Sequence, residues 1–259
     1  MNKKIRLLGN IFLKSDSPES LKNTVIKLIS GFIVIFVHPD SWYKASFKVY
    51  SLTNYLQYFN LNKLSSNARD AFQVKRVFIL NQLLSLLTRT GIPFYIPYEF
   101  NSKEINMEDG TLLCSSHLPL IKVCIKAMIE NNSPIDAIIA KHPTKEYKVS
   151  IWGMAEGVPA LKSDNNVLLK TKSLLSKNAK IGLMVDDTET SDYSPNSMKI
   201  CTLTGSKVVF CFAQLKKNGT ISTWLEKAPY PYCKTEFEIQ ENVDGLRSRT
   251  NQIFQEYLN

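Results

Sequence analysis

The stretch DGTLLCSSHLPLIK, Asp109 to Lys122, decides how this chain is read. Thr111, Leu112, Leu113 and Cys114 form a short apolar run behind a glycine. The run is too brief for a helix and is bounded by small polar residues, so it reads as a buried strand. Ser115, Ser116 and His117 follow, and Pro119 opens a helix to about Asn131, since proline is tolerated in a first helical turn. The same alternation recurs downstream. Asp136 to Ala140 and Gly157 to Leu161 read as strands, Asp164 caps a helix to Lys177, and Ile181 to Val185 is a strand ending in Asp186 and Asp187. A short helix precedes Gly205. Val208 to Leu215 and Thr220 to Leu225 are strands split by the turn from Lys216 to Gly219, and a last helix runs from about Asn242 to Tyr257. Strands alternating with helices predict an α/β fold with a largely parallel central sheet flanked by helices.

Upstream the pattern is helical. Ser17 as N-cap, with Pro18 in the first helical position, opens a helix through Val37. Tyr43 to Phe59 carries aromatics at mixed spacing and is open to either reading. From Asn67 to Thr88, Phe72, Val77, Ile79, Leu80, Leu83, Leu84 and Leu87 fall on or near one face of a long helix, which Gly91, Ile92 and Pro93 end. The expected organisation is one domain over 1–259, with a helical N-terminal part and layer (1–105) and an α/β part (106–259).

Composition narrows the partners. The 259 residues carry 32 Lys and Arg against 23 Asp and Glu, a net charge of +9, with 44% hydrophobic residues; this excludes a disordered or fibrous chain. Five cysteines, mostly in apolar runs and without paired spacing, read as reduced core residues in a reducing compartment. With three histidines and no CxxC, no metal centre is expected. Val25 to Val37 falls short of the roughly 18 apolar residues a span requires, and reads as a buried core helix in preference to a membrane contact. Excess positive charge suits an anionic membrane, an acidic carrier protein or nucleic acid. The basic residues are mostly scattered lysines, without an Arg–aromatic strip, so no nucleic acid is expected.

His117 stands just past a buried strand and just before a helix N-terminus, where ligand and catalytic groups gather in open α/β sheets. Amides of that helix end suit an oxyanion. Ser115 shares the face of His117, although a polar residue finishing a strand is the commoner reading. Cys114 belongs to the buried run. No P-loop, GxGxxG or placeable pair of glycosidase carboxylates is present.

The order of several blocks resembles the lysophospholipid acyltransferase-like superfamily, in its branch of lipid A late acyltransferases. Asn60 to Arg69 is similar to that family's entry into its long helix, and Gly110 to His117 to its glycine–apolar–histidine block. Ala140 to Pro143 stands where members carry an Arg after the second strand. Lys180 to Asp187 is similar to the strand leading to a D-Q turn, and Leu203 to Phe210 to a "tGApVvp" strand. The resemblance implies a HxxxxD/E motif, in which His deprotonates an acceptor hydroxyl and the acid orients it. This chain departs from it: position 122 is Lys, and there is no Arg between Arg89 and Arg247. Lys122, Lys126 and Glu130 instead recur every fourth residue, as on a solvated helix face.

The resemblance therefore implies an acyltransferase with His117 as general base, taking its acyl group from an acyl carrier protein or acyl-CoA. The small size, the expected lack of a membrane anchor and the broken motif suggest a specialised acceptor, a secondary metabolite or a small amine or alcohol, rather than bulk lipid A. No cofactor is implied. Lys141 is the expected anion binder, with Ser115, Ser116, Lys122, Asp186 and Asp187 around the substrate and the two aspartates able to lend the missing carboxylate. A groove between the helices and the sheet would hold the acyl chain. The alternative is a non-catalytic acyl- or lipid-binding relative. The expected location is the cytoplasm, with peripheral contact at the inner membrane face left open.

Overall fold

The computed structural model describes residues 21–60, 66–102, 105, 107, 110–141, 143, 147–186 and 192–256. These form an α/β protein, and they divide into two compact units, one drawn from 21–97 with Trp152–Glu156, the other from Tyr98–Ile151 with Gly157–Glu256.

The first unit is helical. Helices α1 (Leu21–Phe36), α2 (Trp42–Asn60) and α3 (Ser66–Thr88) pack on one another. The helical period of α3 buries Val77, Leu80, Leu83, Leu84 and Leu87, as their spacing predicts, while Ile79 stays half-buried. The side chain of Phe72, and the expected cap at Ser17 and Pro18, lie outside the described residues. Gly91 ends the segment with φ +71°, a conformation that only glycine adopts without steric cost. Trp42 is buried, gives its indole N–H to Val37 O at 3.0 Å and meets Phe94 ring to ring at 5.7 Å. Helix α1 corrects the expectation of a buried core helix. Ile26, Ile33 and Val34 are buried, but Val25, Leu28, Phe32 and Phe36 form an exposed apolar stripe. No helix of the described residues is long and apolar enough to cross a membrane.

The second unit is built on an eight-stranded sheet in the order β1-β8-β7-β2-β6-β3-β5-β4. Its strands are β1 (Tyr98–Asn101), β2 (Thr111–Ser115), β3 (Ala137–Ala140), β4 (Lys148–Val149), β5 (Val158–Lys162), β6 (Lys180–Met184), β7 (Lys207–Leu215) and β8 (Ile221–Lys227). From β7 through β2, β6 and β3 to β5 the strands are parallel. β8 returns antiparallel to β7 through the expected Lys216–Gly219 turn, with Gly219 at φ +86°; β1 runs beside β8, and β4 is antiparallel to β5. The apolar run in β2 lies at the centre, where Leu112, Leu113 and Cys114 are buried; each leucine contributes about 1.5–3 kcal/mol by its burial. A side chain at Gly110 would overlap the carbonyl of Leu175, so the strand enters on glycine.

Four helices complete this unit: α4 (Ile121–Glu130), α5 (Val167–Leu175), α6 (Lys199–Thr204) and α7 (Glu236–Glu256). Three begin elsewhere than the sequence predicts. α4 starts two residues after Pro119 because Leu120 takes a left-handed φ of 71°. α5 starts at Val167, because the Asp164 carboxylate accepts the Asn166 N–H at 3.0 Å and holds a turn first. α7 starts at Glu236, six residues before Asn242, since Thr235 and Glu238 form a reciprocal capping box: Glu238 N–H donates to Thr235 Oγ1 (3.2 Å) and Thr235 N–H to Glu238 Oε2 (2.9 Å). The short, polar β1 and β4 lacked the apolar signal that marks the other strands.

Candidate active site

The carboxyl end of β2 sits beside that of β6. Ser115 pairs with Met184, and Val185 N–H donates to Ser115 O at 2.9 Å. Two residues further along each strand stand His117 and Asp186, side by side across one strand spacing of about 4.8 Å. The Asp186 carboxylate accepts the His117 backbone N–H through both oxygens (2.9 and 3.0 Å), and its Oδ1 lies 2.9 Å from His117 Nδ1. A carboxylate that accepts the backbone N–H also directs the ring proton to Nδ1, leaving Nε2 as the basic atom. The two side chains differ in access. His117 is 41% exposed and Asp186 only 13%, so the ring is open to a reactant while its partner is sheltered. Among the described residues no further polar group reaches the imidazole.

Behind the dyad lies a cluster of hydroxyls. Ser116 is buried, and its Oγ lies 2.8 Å from both the Tyr193 hydroxyl and Thr250 Oγ1. Tyr193 bridges back to Asp186 as a short antiparallel pair, and Ser194 N–H donates to Val185 O at 3.1 Å, which pins the chain on the far side of Asp186. The Arg247 guanidinium of α7 lies over the Tyr193 ring, 5.1 Å from its centroid. Tyr193, Thr250 and Arg247 escaped sequence reasoning. They lie 76 or more residues from His117, and no local motif marks them.

The other candidate residues fall in separate places. Ser115 is buried and donates its hydroxyl to Cys211 O at 2.7 Å, a bond that ties it to the sheet backbone. Lys141 is exposed directly after β3, on the same carboxyl edge, two strands and about 10 Å from β2. Lys122 is half-buried on the first turn of α4. Asp187 lies outside the described residues. The solvated stripe on α4 is a misreading: Lys126 is buried, at 5% exposure, and donates to Glu130 Oε1 at 2.6 Å. This helix buries nearly its whole circumference, so the lysine runs its stem through the packing and ends on a carboxylate. Two amides expected to hold an oxyanion are also engaged within the turn, Ile121 N–H with Leu118 O (3.4 Å) and Val123 N–H with Leu120 O (2.9 Å).

All five cysteines are free and buried. Burial, and then the neighbouring Cys201 and Cys233, push the Cys114 thiol well above the ordinary cysteine range, so it remains an uncharged core group and not a nucleophile. No protein-family model matches the sequence, and no curated protein matches it either.

Proposed function

We propose that the chain is an acyltransferase, moving an acyl group from a thioester donor, an acyl carrier protein or acyl-CoA, to a hydroxyl or amine acceptor. The observation that supports this reading is the 2.9 Å contact between His117 Nδ1 and Asp186 Oδ1. The acid that the acyltransferase pattern puts five residues after the histidine is Lys122 here, and a carboxylate from the neighbouring strand takes up its part. His117 Nε2 removes the proton as the acceptor oxygen or nitrogen attacks the thioester carbonyl. The carbon–sulfur bond then breaks, and the departing sulfur takes that proton from the imidazolium. Asp186 fixes the tautomer, orients the ring and stabilises its charged form. With Ser115 tied to Cys211 O and Cys114 buried, transfer is direct, without an acyl-enzyme.

Lys141, exposed on the same edge, is the cation for a negatively charged part of donor or acceptor. The acceptor we favour is a small amine or alcohol. The exposed apolar stripe of α1, on a chain of net charge +9, supports peripheral contact with an anionic membrane, and the location we favour is the cytoplasm.

Incubation with acyl-CoA and acyl-carrier thioesters, with a panel of amines and alcohols, tests the reading. Thiol release matched by acylated acceptor is expected. The second reading, a non-catalytic acyl-binding relative, draws on the lysine at position 122 and predicts instead a bound acyl chain in native mass spectra with no thiol released.

A further inference from the structure

We propose that Arg247 is the phosphate-binding residue of this site, an inference that rests on the acyl-transfer reading and adds a substrate class to it. Two arginines lie on the same stretch of α7 and are held very differently. Arg249 is spent: its Nε reaches Glu226 Oε2 at 3.2 Å, its Nη1 donates to Gln252 Oε1 at 2.9 Å, and its guanidinium lies over Trp224 at 5.5 Å. Among the described residues, the carboxylate that pairs with Arg247 is Asp244, whose Oδ1 lies at 3.6 Å, beyond hydrogen-bond distance and between two half-exposed side chains. That pair is too long and too wet to hold the group.

The position of Arg247 follows from the helix. Thr250 is three residues on, which puts the two side chains on one face about 5–6 Å apart. Thr250 binds Ser116, the backbone neighbour of His117, and Tyr193, under the guanidinium, binds the same hydroxyl. The dyad is therefore linked to Arg247 through Ser116 and the Tyr193 ring. A guanidinium drawn to a ring face by cation–π attraction keeps the planar fork of N–H donors that matches two phosphate oxygens. Lys141 adds a second cation on the same carboxyl edge of the sheet, two strands from β2. Asp244 is turned toward solvent beside Arg247, and the Asp186 carboxylate already accepts the His117 backbone N–H and meets its Nδ1, which lowers its repulsion toward an incoming phosphate.

The phosphate could belong to the donor, as in CoA, or to the acceptor, and a binding measurement separates the two. Isothermal titration of the full chain, of Arg247→Gln and of Arg247→Lys with CoA, and separately with O-phosphoethanolamine, reads the contact without turnover. Pantetheine and ethanolamine serve as the phosphate-free controls. A charge-assisted hydrogen bond is worth about tenfold to a hundredfold in affinity. Arg247→Gln is expected to lose that factor toward at least one phosphorylated probe, and Arg247→Lys part of it, with the phosphate-free controls unchanged. The sensitive probe identifies the source. Equal affinity of the three proteins for both phosphorylated probes overturns the inference, as does failure of the unmodified chain to bind either. If thioesters are turned over with Arg247 indifferent, this inference alone falls. If Arg247-dependent binding appears without turnover of any thioester, the acyl-transfer reading alone falls.

Discussion

The carboxyl end of β2 and helix α4 are neighbours in the chain, yet they hold their charged groups in opposite ways. At the strand end, His117 finds its carboxylate 69 residues away, on the next strand, because parallel pairing sets residues of equal depth side by side. On α4, Lys126 runs its stem through the packing and finds Glu130 one turn along its own helix, at the surface. The first pairing leaves a basic nitrogen facing outward, and the second leaves nothing to react. A charge pair made between strand ends presents chemistry at an edge, whereas one made along a buried helix mainly neutralises an ion that packing has taken from water.

The largest expected effect is at the strand end. His117→Gln should lower acyl transfer by about 10²–10⁴-fold, and Asp186→Asn toward the lower end of that range, with the double variant no worse than His117→Gln. Steady-state thiol release with intact circular dichroism reads it. Additive losses would mean that the two residues do not act as one unit, and would break the contrast with α4.

Next comes the pair on α4. Glu130→Ala leaves Lys126 without its carboxylate and should cost about 1–3 kcal/mol, less than for a fully buried pair because Glu130 is partly exposed. Lys126→Met, which removes the charge and keeps the volume, should stay within about 1 kcal/mol. Urea denaturation compares the two, and equal losses would show that the ion pair itself stabilises the helix.

A smaller effect is expected at the capping box of α7. Backbone N–H groups of Lys234 and Thr235 hold the Glu238 carboxyl below its usual value of 4.5. A depressed carboxyl contributes stability above its unfolded value and loses it as pH falls through the folded one. Glu238→Gln should therefore melt below the unmodified chain at pH 7, with the gap closing as pH falls below 4.5. A gap that persists in acid would assign the loss to packing instead.

Lys122→Ala should have the smallest effect, leaving turnover within about twofold, since the orienting carboxylate comes from Asp186 and not from position 122. A change in the pH–rate profile would bring α4 into the chemistry and blur the distinction between the two regions.

Much of this architecture was legible in the chain. The apolar run in β2, the helical spacing of Leu80, Leu83, Leu84 and Leu87, and Gly219 in its hairpin each express a local rule. Errors arose where local rules have two outcomes. Lys126 at helical spacing reads as solvated unless the opposite face is also covered, and α1 reads as buried throughout although only one of its faces is packed. The site was legible in part. His117 stood out by its place after a strand, and Asp186 as one of two aspartates ending another, but nothing local distinguished that pair from an ordinary polar turn.

By itself the sequence determined the alternation of strands and helices, the depth of β2 and the position of His117 beyond it, because hydrophobic period and turn chemistry act over a few residues. Only the tertiary structure decided that β6 lies next to β2, that Asp186 meets the imidazole of His117, and that Tyr193 and Arg247 stand behind Ser116. Strand order and side-chain meetings over 69, 77 and 134 residues depend on how the whole sheet closes over its core, and no short window of sequence contains that.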